Sequence, residues 1–363
     1  MNSKMISRCA VLALGAWVGT ACESGTGPDG GSDFDSNQVV ANHQAFERVV
    51  QDESLESFKA ATQRASFQAV AGPIAATADA ILDMDGGPVA SRSAAMQLSR
   101  GLIAATSASN PIISAAHLGK TFVYDPTLDD YKVDPERSGA PSNGVRFILY
   151  EVDSSDRPIV EQEIGHLDLI DQGEGSATDA DLRLEMVLGE KTVIDYRTTV
   201  DLGLGSGAIT VDGFIQPEED RLDFDIDLTG VADGSGGTAE LLFNLSILSR
   251  DFSIAGAVSG IDDISGESGR VDLTVRHGND SFRVDVDGSA TEIDGTVYLN
   301  GEVLALITGD PEDPTLSAAD GGGLTTSQLE ALGFIVKATE GVFHLVGALL
   351  EPVAALVLLA FLL

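Results

Sequence analysis

Between residues 120 and 310 the chain alternates apolar and polar positions in short runs broken by turn-forming clusters, which restricts it to sheet architectures. The clearest run is Arg221-Leu222-Asp223-Phe224-Asp225-Ile226-Asp227-Leu228. Side chains alternate along a strand, so Leu222, Phe224, Ile226 and Leu228 share one face and the three aspartates share the other. Burying those four apolar side chains contributes roughly 6–12 kcal/mol gross, at about 1.5–3 for each. The aspartates cost roughly 0.6 kcal/mol per neighbouring pair at ~7 Å when they face water. They could not face lipid.

The same alternation predicts strands over 121–125, 145–152, 160–170, 182–188, 192–202, 208–215, 222–228, 239–248, 252–258, 271–276, 282–286, 296–300 and 303–308. Turn chemistry separates nearly all of them, and Asn300-Gly301 has the preference for positive φ that a tight hairpin needs. Short connections without helices make neighbours antiparallel. The expected fold class is therefore mainly β, an antiparallel meander forming a curved sheet or barrel. Its apolar face lies either inside a soluble sheet or against lipid around an acidic lumen. Most runs are shorter than the ~9–11 residues of a membrane strand and aromatic girdles are missing, which favours the soluble form.

Helical patterns flank this region. Val39, Phe46, Val49, Val50, Leu55, Phe58 and Phe67 recur at helical spacing, and a further helix is expected over 89–105. Towards the end, Ser327 and Glu330 form a capping box ahead of the stripe Leu332, Ile335, Val336, Thr339, Phe343, Val346 and Leu350. Residues 353–363 are apolar on every side. His344, Glu351 and Pro352 weigh against a membrane span, so the expectation is a C-terminal hydrophobic helix packed on the sheet. The resulting division is a signal peptide over 1–21, a flexible tether over 22–35 and a helical region over 36–118. The antiparallel β domain occupies 119–310, a linker 311–323, and the C-terminal helix 324–363.

The signal peptide rests on Lys4 and Arg8, the apolar stretch from Cys9 to Val18, and the small residues Gly19-Thr20-Ala21 directly before Cys22. This resembles the lipobox of bacterial lipoproteins, although Gly19 stands where leucine is usual. The resemblance implies that Cys22 becomes the lipidated first residue of the mature chain and anchors it to a membrane. Cys9 leaves with the signal, so Cys22 would be the sole thiol of an exported protein, which acylation accounts for. Glu23 is not the aspartate that marks inner-membrane retention in enteric bacteria. By that analogy the protein is expected in the cell envelope, anchored to the outer membrane and facing the periplasm or the cell surface.

With 57 acidic against 21 basic residues the formal net charge is −36, and no basic stripe exists to neutralise phosphates. Nucleic-acid binding is excluded on that ground. Gly119-Lys120-Thr121 lacks the upstream glycine and following helix of a phosphate loop. Nothing fixes His166 or Asp168 near Ser235 of Asp233-Gly234-Ser235-Gly236-Gly237, so that cluster reads as a turn. His43, His117, His166, His277 and His344 are scattered, and Asp285-Val286-Asp287-Gly288 lacks the sixth-position glycine and twelfth-position glutamate of a calcium loop. Asp83-Met84-Asp85 and Asp310-Pro311-Glu312-Asp313 read as solvated acidic turns. No cofactor, metal or catalytic residue is expected.

Two non-catalytic functions remain. In one, a lipid or other hydrophobic ligand lies against the apolar sheet face, with Leu222, Phe224, Ile226 and Leu228 as ligand-binding residues. That arrangement is similar to the half-barrels of periplasmic lipoprotein carriers in architecture alone, with no motif shared. In the other, the core is fully packed and the acidic face meets a partner or ions, as in a structural or interaction lipoprotein. A membrane-embedded acidic pore is a third arrangement, and an enzyme the least supported.

Overall fold

The computed structural model describes residues 36–50, 115–173, 179–203, 205–233, 236–263, 266–289, 291–311 and 313–322. It also describes single positions between 52 and 61 and at 113, 324, 329, 333 and 345. Cys22, the tether, the helix expected over 89–105 and most of the C-terminal segment lie outside these residues.

One helix, α1 (Ser36–Val50), precedes fifteen strands. These are β1 (Lys120–Asp125), β2 (Asp130–Val133), β3 (Gly144–Val152), β4 (Pro158–Asp171), β5 (Asp179–Leu188), β6 (Lys191–Gly203), β7 (Ser206–Ile215) and β8 (Leu222–Asp233). They continue as β9 (Gly236–Ile247), β10 (Phe252–Asp263), β11 (Gly266–His277), β12 (Asp280–Ser289), β13 (Ile293–Leu299), β14 (Glu302–Asp310) and β15 (Asp313–Ala318). All fifteen belong to one sheet, and from β3 to β15 each strand pairs with its neighbour in sequence. The chain is mainly β and antiparallel, as the alternation predicts.

One alternative is decided and three expectations are corrected. The sheet is open, with β2 and β15 at its edges, and does not close into a barrel. β1 runs parallel to β3, because β2 folds back on β1 along the outer edge. The stretch read as a linker over 311–323 contains β15, which pairs with β14 from Ala305↔Ala318 to Asp310↔Asp313. Pro311 and Pro314 disguise it, since proline tells against a strand except at an edge, and an edge is where β15 lies. The strands are also longer than their apolar cores suggest: β4 has 14 residues, β6 has 13, and β8 to β11 have 12 each. Gly, Asp and Ser at their ends continue the ladder, so strand length no longer distinguishes this sheet from a membrane one.

Register carries the alternation from strand to strand. On the inner face one row runs from Leu182 on β5 through Thr198, Val211, Ile226 and Phe243. It continues through Gly256, Leu273, Val284, Val297 and Ala305 to Ala318 on β15. Two glycines sit where an added side chain would collide with the neighbouring strand. A Cβ at Gly213 would sit 2.5 Å from both Cα and Cβ of Tyr196, and one at Gly256 would sit 2.5 Å from Phe243 Cζ. Across Gly213 the Tyr196 and Phe224 rings meet edge-on at 6.1 Å.

The inner face and α1 share one hydrophobic core, to which Ala45, Phe46 and Val49 contribute from the helix. Phe46 approaches Phe252 with ring centroids 6.0 Å apart. Leu345, one of four described positions of the C-terminal segment, is buried in the same core. Among the described residues no helix is long and apolar enough to cross a membrane.

Candidate functional site

The four side chains expected to line a ligand site are Leu222, Phe224, Ile226 and Leu228 on β8. They are 0%, 4%, 1% and 4% exposed and belong to the shared core. Ile226 stands between Val211 and Phe243 in register. These residues share one buried face of the sheet.

At the turn end of the sheet α1 crosses the β7–β8, β9–β10 and β11–β12 connections. Asn42 Nδ2 donates to the Arg250 carbonyl at 3.4 Å and lies 3.4 Å from Nδ1 of buried His277. The His277 ring contacts Phe252 at 5.0 Å and Phe282 at 6.3 Å between centroids. This polar anchor was not foreseen. Its only signal is a histidine on the apolar alternation of β11, two residues beyond Val275. Beside it lies a groove of about 1260 Å³ walled by Glu47, Arg48, Lys191, Glu218, Asp220 and Arg250. Arg250 holds Asp220 with two hydrogen bonds of 2.7 Å, and Arg48 approaches the same carboxylate at 3.7 Å. The Arg250 hydrogen bonds hold the Asp220 carboxyl below the usual carboxylate range. The two arginines of this groove are thus already matched to Asp220, and Lys191 donates to the Pro217 and Glu218 carbonyls.

The outer face is where the charge is concentrated, and its arginines are not spread evenly. On β3 to β6, Arg146 grips Asp168, Arg183 grips Asp195 and Arg197 grips Asp181, each through paired hydrogen bonds of 2.6–2.8 Å. On β11 and β12, Arg283 grips Asp272 while Arg270 and Arg283 both reach Asp285. Such two-pronged pairs are geometrically specific. They raise the basicity of Arg146, Arg183, Arg197 and Arg283, the carboxylate hydrogen bond being the chief cause in each.

Between these two laced regions lie β7 to β10, where Arg221 donates to Asp223 at the start of β8. Asp212 and Asp225 face each other directly, Asp227 is one outer position further along β8, and Glu240 follows on β9. No arginine or lysine pairs with Asp225, Asp227 or Glu240 among the described residues. Thr210 donates to Asp227 at 2.8 Å. Arg197 stands opposite Asp212 but commits its fork to Asp181. Desolvation, then the charges of Asp227 and Asp212, push the Asp225 carboxyl up.

His166 and Asp168 are outer-face neighbours on β4 at 3.9 Å, but Asp168 is bound by Arg146, and Ser235 lies outside the described residues. Burial first, and the Arg146 charge second, hold the His166 imidazole below its ordinary value. Lys120 and Thr121 begin a strand, with no helix start beside them. Asp285 of the calcium-like stretch takes two arginines. Among the described residues no group of three or more His, Cys, Asp or Glu side chains is placed to hold a metal.

Comparison with protein-family models, with curated proteins and with solved structures finds no match to this chain.

Proposed function

We propose that this protein is a non-catalytic lipoprotein of the bacterial cell envelope, tied to the membrane through Cys22. Its sheet is a packed scaffold whose acidic outer face does the work of interaction. One observation carries the choice between a ligand shell and an interaction protein. The side chains that would have to line a hydrophobic cavity, Leu222, Phe224, Ile226 and Leu228, are no more than 4% exposed within one continuous core. A binding site for an apolar ligand is concave and keeps room for its occupant. The described groove, by contrast, is walled by charged residues.

Native mass spectrometry tests this reading on a soluble form that begins after Cys22 and is purified without detergent. The expected result is a clean apo mass from a stable protein. A reproducible added mass that fragments as lipid would replace the packed scaffold with a ligand shell. The anchor has its own test: mass spectrometry of the exported chain should find a diacylglyceryl-modified Cys22, and Cys22→Ser should release the protein from the membrane fraction. An unmodified Cys22 in secreted protein would remove the lipoprotein assignment.

A further inference from the structure

The outer face carries a patch in which apolar and acidic side chains alternate. Val231 on β8 and Ile261 on β10 stand on either side of Thr238 on β9, and they are 56% and 45% exposed. One outer position along β9 from Thr238 comes Glu240, flanked by Thr229 and Ser259. The next outer position is Leu242, 41% exposed, between Asp227 and Ala257. Beyond it Asn244 stands between Asp225 and Ala255. Successive outer rows are about 7 Å apart along a strand. The patch therefore presents apolar, acidic, apolar-plus-acidic and acidic rows at that spacing.

Large aliphatic side chains exposed on one face, beside carboxylates without arginine partners, combine the apolar and charged contacts that an interaction surface needs. Asp168, Asp181 and Asp195 on one side of the patch, and Asp272 and Asp285 on the other, are held by arginine. A metal ion has no use for Val231, Leu242 and Ile261. An anionic lipid surface would be repelled by Asp225, Asp227 and Glu240. Strand addition is closed here, because β8, β9 and β10 each have both edges paired.

We propose that this patch docks an extended basic segment of a partner polypeptide, with an apolar residue and a Lys or Arg alternating at every second position. In an extended chain residues i and i+2 share a face at about 7 Å, which matches the row spacing. The basic residues meet Glu240, Asp227 and Asp225, and the apolar ones rest against Ile261, Val231 and Leu242. This rests on the interaction-protein reading above. A lipid adduct in native mass spectrometry would defeat that reading, whereas this patch stands or falls on peptide binding to a lipid-free protein.

The test is fluorescence anisotropy of the soluble form with two labelled peptides, three repeats of Leu-Thr-Lys-Thr and three repeats of Ser-Thr-Lys-Thr. The leucine peptide is expected to bind at least fivefold tighter. Asp225→Asn with Asp227→Asn should weaken it roughly tenfold, and Leu242→Ser roughly fivefold. Asp181→Asn with Asp272→Asn removes as much formal charge from the laced regions and should change it less than twofold. Asp225 and Asp227 repel each other, so their replacement does not threaten folding, and Leu242 is solvent-exposed. Equal affinity for the two peptides, or equal weakening by the two double substitutions, would reduce the interaction to general attraction by an acidic chain and overturn the proposal. Displacement of the peptide by millimolar calcium, with a rise in Tm abolished by the Asp225→Asn and Asp227→Asn pair, would overturn it in favour of an ion site.

Discussion

Replacing Ile226 by alanine separates a packed interior from a ligand-lined one. Ile226 is 1% exposed and sits between Val211 and Phe243 on the neighbouring strands. The substitution deletes three carbons, which at about 0.8 kcal/mol each removes roughly 2.4 kcal/mol of burial. A strand held by ladders on both sides cannot collapse fully into the space, so the cavity raises the cost to about 3–4 kcal/mol. For a chain of this size that corresponds to a fall in Tm of roughly 4–6 °C. Urea unfolding of the soluble form gives the free energy, and an unchanged m-value shows that the surface exposed on unfolding is the same. Leu242→Ala, on the outer face of the adjacent strand, should cost no more than about 0.5 kcal/mol and serves as the control. A loss below about 1 kcal/mol at Ile226 would refute the packed core, because a side chain facing an occupied or empty cavity gives up little when shortened.

Gly213→Ala should destabilise the sheet by about 1–3 kcal/mol or more, since the added methyl meets Tyr196 main-chain and Cβ atoms at 2.5 Å and breaks the Tyr196–Phe224 contact. A wild-type urea midpoint would contradict that approach of β6 and β7. Asp220 and Asp225 make a pH pair of opposite sign. The Asp220 carboxyl is lowered in the folded protein by Arg250, so its stabilisation is present above the unfolded value of about 3.9 and disappears as pH falls through the folded value. Asp220→Asn should therefore be less stable than wild type at pH 7, with the gap closing in acid. Asp225 is raised by desolvation and by Asp227 and Asp212, so Asp225→Asn should be more stable than wild type at pH 7, and that gap should also close as pH falls. A gap that stays constant from pH 7 to 3 in either variant would show that the effect is not one of ionisation.

The strands were legible because burial writes a period of two into each of them, and β8 shows it without a break. Their ends were not, because Gly230, Gly260 and Gly288 continue the ladder with no side chain to mark a face. β15 was missed for the same reason as most edge strands: half of its hydrogen-bonding groups face outward, so proline is tolerated and the local composition resembles a loop. The four residues offered as a ligand site share one face because they alternate, and alternation reports only that a face is buried. It does not say whether protein or ligand buries it. The arginine lacing was recoverable only after register was known. Arg183 and Asp195, or Arg283 and Asp272, sit 12 and 11 residues apart in sequence, and only the pairing of β5 with β6 and of β11 with β12 makes them neighbours.

An open sheet of fifteen strands has two edges that could pair with other copies, and the sequence weakens both. β2 is four residues long and places Asp130 and Lys132 beside its free side. β15 has six residues, and Pro314 removes one of the amides a second chain would need. A β2-to-β15 junction would join at most four residue pairs, fewer than an isolated hairpin needs to persist in water. The interior strands, with 12 residues each from β8 to β11, are fully paired on both sides. Backbone recognition is thus blunted where it is available and consumed where it would be strong. What the sheet still offers a partner is side chains, and its outer face varies most between the arginine-laced flanks and the middle strands, where Asp225, Asp227 and Glu240 take no arginine or lysine among the described residues. Selectivity for a partner is expected to map to that boundary rather than to an edge.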